Sequence, residues 1–140
     1  MKVYIGTDHR GFELTSNILK WLFENNIEVI NLGATEFNLD DDYVDYAILV
    51  AKKVSEEDAK GIVFCASGVG VDIVANKIKG IRCGLGISSE QVKAACRDDD
   101  INVLAIASDF FDFEKTSEMI KIFLDTPFSG EERYVKRINK

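Results

Sequence analysis

Short, continuously apolar segments alternate with segments of helical periodicity along the chain, and this alternation constrains the fold more than any other feature. The apolar runs that predict strands are 2–7, 27–31, 61–64, 81–87 and 103–107. Helices are predicted over about 11–24, over 44–54, from the glycine turn through 77, over about 89–97, from 112 and from about 131. Strands that are apolar throughout and alternate with helices form parallel sheets covered on both faces. We therefore expect an α/β protein, a single-domain three-layer Rossmann-like fold over residues 1–140 with a five-stranded parallel sheet.

Two of the helix starts carry capping signals. Ser88 followed by Gln91 forms a capping box. Asp112 is a favourable N-cap for the helix after it. Helical spacing predicts the inner face of that helix to be Phe113, Thr116, Ile120, Phe123 and Leu124.

Charge and composition exclude several classes of function. The net charge of −7 and the pI of about 4.7 argue against general nucleic-acid binding, which needs a basic surface. No apolar run approaches the roughly 20 residues that span a bilayer, and residues 1–6 lack the apolar segment of a signal peptide. We expect a cytoplasmic protein without a membrane partner. Three cysteines without Cys-x-x-Cys spacing and a single histidine also predict neither disulfides nor a metal site.

Ligands of parallel α/β sheets bind at the carboxyl ends of the strands, near the point where the strand order reverses. That rule selects four segments, 7–10, 65–70, 88–89 and 108–109. The segment Cys65–Gly70 is the most informative because its glycines allow backbone amides to form a nest for an anion at a helix start. A cysteine beside the positive end of a helix favours the thiolate form. The same spacing also fits a tight strand–helix connection with a buried thiol.

The other candidates each have two interpretations. Asp8 and His9 suit a sugar hydroxyl and a phosphate, but an aspartate there is also an ordinary helix cap. The acidic triplets 40–42 and 98–100 suit Mg²⁺ or, more simply, solvated loops. Arg133 and Arg137 lie four residues apart, which fits either phosphate recognition or the basic end of a helix.

Several motifs occur in one order along the chain, and together they identify a family. They are Gly6–Phe12, Asp42–Ala47, Cys65–Gly70 with Ala75–Lys77, Gly80–Arg82 and Asn102–Ala105. In that order they resemble the ribose-5-phosphate isomerase B and galactose-6-phosphate isomerase family. The resemblance implies an aldose–ketose isomerase that works through an enediolate without a metal or organic cofactor, most simply converting ribose 5-phosphate to ribulose 5-phosphate.

The resemblance also implies roles for particular residues. Cys65 would be the base that moves the proton between C1 and C2, and Ser67 would hydrogen-bond near the reacting oxygens. The amides of Gly68, Val69 and Gly70 would stabilise the enediolate charge. The remaining positions implied to bind substrate or support the site are Asp8, His9, Tyr43, Asn76, Asp99, Arg133 and Arg137.

Two positions depart from the family pattern. Asp98 stands where the family has the histidine that opens the sugar ring, and Asp109 stands where it has a phosphate-binding arginine. The substitution leaves three alternatives: the enzyme opens the ring slowly, uses Asp98 with a raised pKa, or acts on sugar that opens spontaneously. Arg10 or Arg97 is a candidate to replace the missing cation. The partners implied are a sugar phosphate and further copies of the chain, in a homodimer or homotetramer whose sites are shared between subunits. The alternatives are a partner-dependent or non-catalytic sugar-phosphate-binding subunit, or an isomerase of another sugar.

Overall fold

All 140 residues are described in a computed structural model. Its strands are β1 Lys2–Thr7, β2 Glu28–Asn31, β3 Ala59–Cys65, β4 Cys83–Leu85 and β5 Val103–Ala107. Its helices are α1 Phe12–Glu24, α2 Tyr43–Glu56, α3 Val69–Asn76, α4 Ser89–Asp99, α5 Phe113–Asp125 and α6 Glu132–Ile138, with a 3₁₀ turn at His9–Gly11 before α1. The strands form one parallel sheet in the order β2-β1-β3-β5-β4, which confirms the predicted fold class.

Successive strand residues point to opposite faces of the sheet and fill two separate cores. The strand residues on the face covered by α1, α4 and α5 are Val3, Ile5, Ile62, Phe64, Leu104 and Ile106. Those on the face covered by α2 and α3 are Tyr4, Val63, Cys65, Val103 and Ala105. Because β1, β3 and β5 are buried on both faces, their sequences are continuously apolar instead of alternating.

Ser88 and Asp112 cap their helices as predicted, but the side chain of Gln91 bonds to a different amide than a capping box requires. Ser88 Oγ accepts a hydrogen bond from the amide of Gln91 at 3.0 Å, and Asp112 accepts one from the amide of Lys115 at 2.9 Å. The Gln91 side chain, however, accepts from the amide of Ile87 at 3.0 Å instead of from that of Ser88. Both caps satisfy amide groups that have no acceptor inside their helix.

One sequence prediction about packing is wrong. Phe113 is 39% exposed, whereas Met119 is buried in the core. Phe113 is the first residue of α5, so it lies one turn beyond the part of the helix that covers the sheet. The fourth strand lies within the predicted run 81–87, where β4 is an edge strand that pairs with β5 over three residues. No helix has the length and apolar character needed to cross a membrane.

The strand order places the crevice of the sheet. From β1 the chain crosses to β2 on one side, whereas the strands after β3 are added on the other side. The switch point therefore lies between the carboxyl ends of β1 and β3, where Thr7 is paired with Phe64. Asp8 and Cys65 are the residues that flank it.

Candidate active site

Cys65 ends β3 at this switch point and is only 5% exposed. Its carbonyl oxygen accepts hydrogen bonds from the amide and hydroxyl of Ser108, at 2.9 and 3.1 Å. The amide of Asp109 donates to the carbonyl of Ala66 at 3.0 Å. The segment after β5 therefore fixes the backbone on both sides of the Cys65 side chain.

The turn after Cys65 requires glycine at position 68. Gly68 is the N-cap of α3 and has φ of 73°, in the left-handed region that other residues rarely adopt. A Cβ there would lie 2.6 Å from Leu85 Cδ1 and 2.9 Å from the backbone nitrogen of Ala107. This close approach lets α3 begin directly beside the ends of β3 and β5. The first amides of the helix, which lack intrahelical acceptors, therefore lie next to Cys65.

Ser67 and Tyr43 complete the turn. Ser67 Oγ accepts a hydrogen bond from the amide of Val69 at 3.3 Å. The Tyr43 ring and hydroxyl occupy the space that a side chain at Gly70 would fill, 2.6–2.7 Å from the position of an ideal Cβ. Tyr43 is the first residue of α2, so α2 brings its hydroxyl group to the start of α3.

Asp8 and His9 form the other wall of the crevice. Asp8 is 5% exposed, and burial raises the pKa of its carboxyl group even though it accepts a hydrogen bond from the amide of Arg10. His9 Nδ1 lies 2.8 Å from Asp41 Oδ1, and the His9 amide donates to the same oxygen at 3.0 Å. Because a carboxylate oxygen accepts, Nδ1 carries the proton and Nε2 is the nitrogen left for a ligand.

Asp41 is the residue of this site that sequence reasoning missed. It lies in the triplet 40–42, where nothing in the sequence distinguishes it from its neighbours. In the structure Asp42 caps α2, while Asp41 alone orients the imidazole of His9. Asp8, His9 and Asp41 are also residue types that can bind a metal ion. Each offers one possible ligand atom, and these three atoms lie within 4.8 Å of one another. The hydrogen bonds from His9 to Asp41 are enough to explain why these side chains lie together, so their arrangement does not require a metal ion.

Asp98 and Asp99, predicted to act beside Cys65, lie in the last turn of α4 at the other end of the sheet. Arg97 Nε donates to Asp98 Oδ1 at 2.6 Å, and Arg97 Nη2 donates to Asp98 Oδ2 at 2.9 Å. This guanidinium holds the pKa of Asp98 below its ordinary value. Of the three alternatives for ring opening, the one that needs a raised pKa for Asp98 is therefore wrong, because its nearest partner is a cation and desolvation does not outweigh that cation.

Asn76 holds the start of β4. Its side-chain oxygen accepts from the amide of Cys83 at 2.8 Å, and its amide nitrogen donates to the Cys83 carbonyl at 3.0 Å. The same nitrogen donates to Asp72 Oδ1 at 2.9 Å. Within one chain Asn76 thus joins α3 to β4, and its side chain is not at the Cys65 turn.

Arg133 and Arg137 lie on α6, which packs on α4. Their guanidinium groups lie 4.6 and 5.6 Å from the centre of the Tyr134 ring, on which they stack. Arg137 also lines a cleft with Asp99 and Asn76 at the amino ends of the strands. The two arginines therefore share one surface, as their spacing predicts.

The residues predicted to form one site are thus divided between two ends of the sheet. Cys65 pairs with Ala107 at the carboxyl end of β5, whereas Asp99 lies just before Val103 at its amino end. Four residue steps along a strand separate these ends by about 13 Å. The carboxyl-end group comprises Asp8, His9, Tyr43, Cys65, Ser67, Gly68, Val69 and Gly70. The amino-end group comprises Asn76, Asp98, Asp99, Arg133 and Arg137.

Comparisons with known proteins place the chain among sugar isomerases. Residues 3–140 match the family model described as ribose/galactose isomerase. A probable ribose-5-phosphate isomerase B of Mycoplasma pneumoniae is 40% identical over 139 residues, covering 99% of this chain and 91% of that protein. A putative sugar phosphate isomerase of Bacillus subtilis is 40% identical over 141 residues, covering 100% of this chain and 94% of that protein. The crystal structure of ribose-5-phosphate isomerase B from Mycoplasma genitalium with bound ribulose 5-phosphate superposes with a TM-score of 0.94 at 35% identity, covering 99% of this chain and 91% of that one.

Proposed function

The chain belongs to the ribose/galactose isomerase family, and on that premise we propose that it interconverts ribose 5-phosphate and ribulose 5-phosphate. The observation that carries this proposal is the position of Cys65 at the switch point, beside the first amides of α3. The relative from Mycoplasma genitalium, which binds ribulose 5-phosphate, has the same fold. The proposal places the reaction in the cytoplasm and uses neither a metal ion nor an organic cofactor.

In the proposed reaction, the Cys65 thiolate removes the proton from C2 of the open-chain aldose. The electrons of that C–H bond form the C1=C2 bond of an enediolate, and the negative charge moves to the C1 oxygen. The thiol then returns a proton to C1, while the proton of the C2 hydroxyl passes to the C1 oxygen, which leaves a ketone at C2. The amides of Gly68, Val69 and Gly70 are the donors for the developing oxyanion, and each fixed donor of this kind contributes about 3–4 kcal/mol.

We also propose that the active site is shared between copies of the chain, in a homodimer or homotetramer. The division of the predicted site residues between two ends of one sheet supports this, since a second copy has to supply Asp98, Arg133 and Arg137 next to Cys65. Exposed apolar side chains beside the Cys65 turn offer a face for it. They are Leu49 on α2 and Val69 and Ile73 on α3, which are 46–53% exposed.

The direct test is an assay of ribose 5-phosphate conversion with Cys65→Ala and a matched control. Loss of a general base lowers kcat by about 10²–10⁴, so Cys65→Ala should lose at least about a hundredfold. Cys96→Ala removes another buried thiol, one that lies in the core between α4 and α5, and should keep kcat within about twofold below its melting temperature. Equal turnover by the wild type and Cys65→Ala would remove Cys65 from the mechanism.

The second candidate is a subunit that binds a sugar phosphate but depends on a partner for ring opening. It is favoured by Asp98, which is ionised beside Arg97 where a proton shuttle near neutral pH would be useful. Turnover of open-chain ribose 5-phosphate by the purified protein, without turnover of the cyclic sugar, would support this candidate. A panel of pentose and hexose phosphates decides between ribose 5-phosphate and another sugar.

A further inference from the structure

One ion pair spans the carboxyl edge of the sheet directly above the Cys65 turn. Arg10 follows β1 and Asp109 follows β5, and these strands are separated by β3. Arg10 Nη2 nevertheless lies 2.5 Å from Asp109 Oδ2. Two strand spacings amount to about 9.6 Å, so the Arg10 side chain crosses the end of β3 to reach its partner.

Both partners are tied to the site by their backbones. The Arg10 amide donates to Asp8 Oδ1 at 3.1 Å, and the Asp109 amide donates to the carbonyl of Ala66 at 3.0 Å. The side chains themselves are 54% and 41% exposed, so a small ligand entering the crevice meets them first. Because the pair is exposed, it contributes little to the stability of the fold.

Arg10 is also the one arginine that a single chain places at this edge. The other arginines, which lie at the amino ends of the strands or on the helices there, are Arg82, Arg97, Arg133 and Arg137. The guanidinium of Arg10 is a planar fork of donors that fits a phosphate as well as a carboxylate. A phosphate dianion carries more charge than the Asp109 carboxylate and therefore competes with it for these donors.

From this geometry we propose that Arg10 is the phosphate-binding residue that the chain itself contributes to its Cys65 site, and that it exchanges the Asp109 carboxylate for the phosphate of the substrate. The inference rests on the proposed function and names how that site recognises its substrate class. An open-chain pentose phosphate that presents C2 to Cys65 carries its phosphate at the far end of the molecule. Arg10 follows β1, the strand next to β3, and its side chain crosses the end of β3, the strand that carries Cys65.

The test measures Kd by calorimetry for ribose 5-phosphate, inorganic phosphate and unphosphorylated ribose, and KM and kcat separately. Losing a charge-assisted hydrogen bond to phosphate weakens binding by about 10- to 100-fold. Arg10→Ala should therefore raise Kd for ribose 5-phosphate and inorganic phosphate by that factor, leave Kd for ribose within about twofold, and raise KM much more than it lowers kcat. Arg10→Lys keeps the positive charge but loses the planar set of donors, so its Kd for ribose 5-phosphate and inorganic phosphate should lie between those of Arg10→Ala and the wild type.

Asp109→Asn tests the exchange itself. Removing the competing carboxylate should tighten binding of ribose 5-phosphate and phosphate by about two- to fivefold. Lys121→Ala removes a positive charge that is likewise paired with a carboxylate, Asp125, but lies on the outer face of α5, and should change no Kd.

Unchanged phosphate binding in Arg10→Ala, or an equal loss for ribose and ribose 5-phosphate, would overturn the role of Arg10. Weaker binding by Asp109→Asn would overturn the exchange. Because Kd is measured apart from turnover, a wild type that binds ribose 5-phosphate through Arg10 without converting it would contradict the proposed isomerase and leave the assignment of Arg10 standing.

Discussion

Replacing Gly68 by alanine should be the most damaging single methyl addition in the Cys65 turn. The new Cβ meets two obstacles at once, a left-handed φ of 73° and contacts of 2.6 Å to Leu85 Cδ1 and 2.9 Å to the nitrogen of Ala107. Leu85 is a side chain and can move. Ala107 belongs to the ladder between β3 and β5, so its backbone cannot yield without shifting a central strand.

Gly130 separates these two costs, because it has φ of 70° with nothing within 4 Å of its ideal Cβ. The left-handed conformation destabilises the folded state by about 1–2 kcal/mol when the residue is alanine. Alanine also lowers the conformational entropy of the unfolded chain, which stabilises the folded state by about 0.4–1 kcal/mol and offsets part of that loss. Gly130→Ala should therefore lower the free energy of unfolding by about 0–1.5 kcal/mol. Gly68→Ala bears the same cost and a further 1–3 kcal/mol or so for the overpacked contact.

Urea unfolding of the two variants and the wild type measures the difference directly. The additional loss in Gly68→Ala corresponds to a melting temperature lower by about 3–10 °C than that of Gly130→Ala. A displaced turn also misplaces the amides of Val69 and Gly70, so kcat should fall at least about tenfold. Equal free energies of unfolding for Gly68→Ala and Gly130→Ala would refute the reasoning, since only the backbone conformation would then matter.

Three further substitutions test other parts of the site. Asn76→Ala leaves the amide and carbonyl of Cys83 without their partner and should lower the free energy of unfolding by about 1 kcal/mol in urea titrations. Burial raises the pKa of Asp8, so its ionisation opposes folding. Thermal melts should therefore show Asp8→Asn more stable than the wild type at pH 7. The gain should shrink as the pH falls through the pKa of folded Asp8 and disappear below about 4, where the carboxyl group becomes protonated in the unfolded chain as well. Asp98→His should raise turnover of cyclic ribose 5-phosphate more than that of open-chain sugar in a stopped-flow assay, because it supplies a proton shuttle for ring opening.

Each of these expectations has a clear contrary result. An unchanged urea midpoint in Asn76→Ala would mean that water replaces the amide without cost. A stability gain in Asp8→Asn that does not vary with pH would show that the difference in stability between the variant and the wild type comes from packing and not from ionisation of Asp8. Equal changes for cyclic and open-chain sugar in Asp98→His would show that ring opening does not limit the reaction.

Much of the architecture could be predicted from the chain alone because local patterns agree with it. The runs 2–7 and 103–107 are apolar throughout since both faces of their strands are covered, and the bounds match those of β1 and β5. Helix starts at Ser88 and Asp112 depend on a cap three residues from the amide it satisfies, which is a local interaction. The prediction for Phe113 is wrong because helical periodicity gives the direction of a side chain, but not how far the sheet extends beneath it.

The Cys65 turn shows most clearly which features follow from neighbouring residues and which depend on the tertiary structure. Its glycines, its place after an apolar strand and the family resemblance were readable from residues next to one another in the chain. What the sequence did not reveal depends on residues far apart: Asp41 orienting His9 across 32 positions, and Arg10 meeting Asp109 across 99. The family pattern likewise put Asp98 in the same site as Cys65, and only the parallel sheet decided that one chain holds them at opposite ends. A strand carries its residues in one direction, so the ends at which side chains meet are determined by topology and not by the chemistry of the residues.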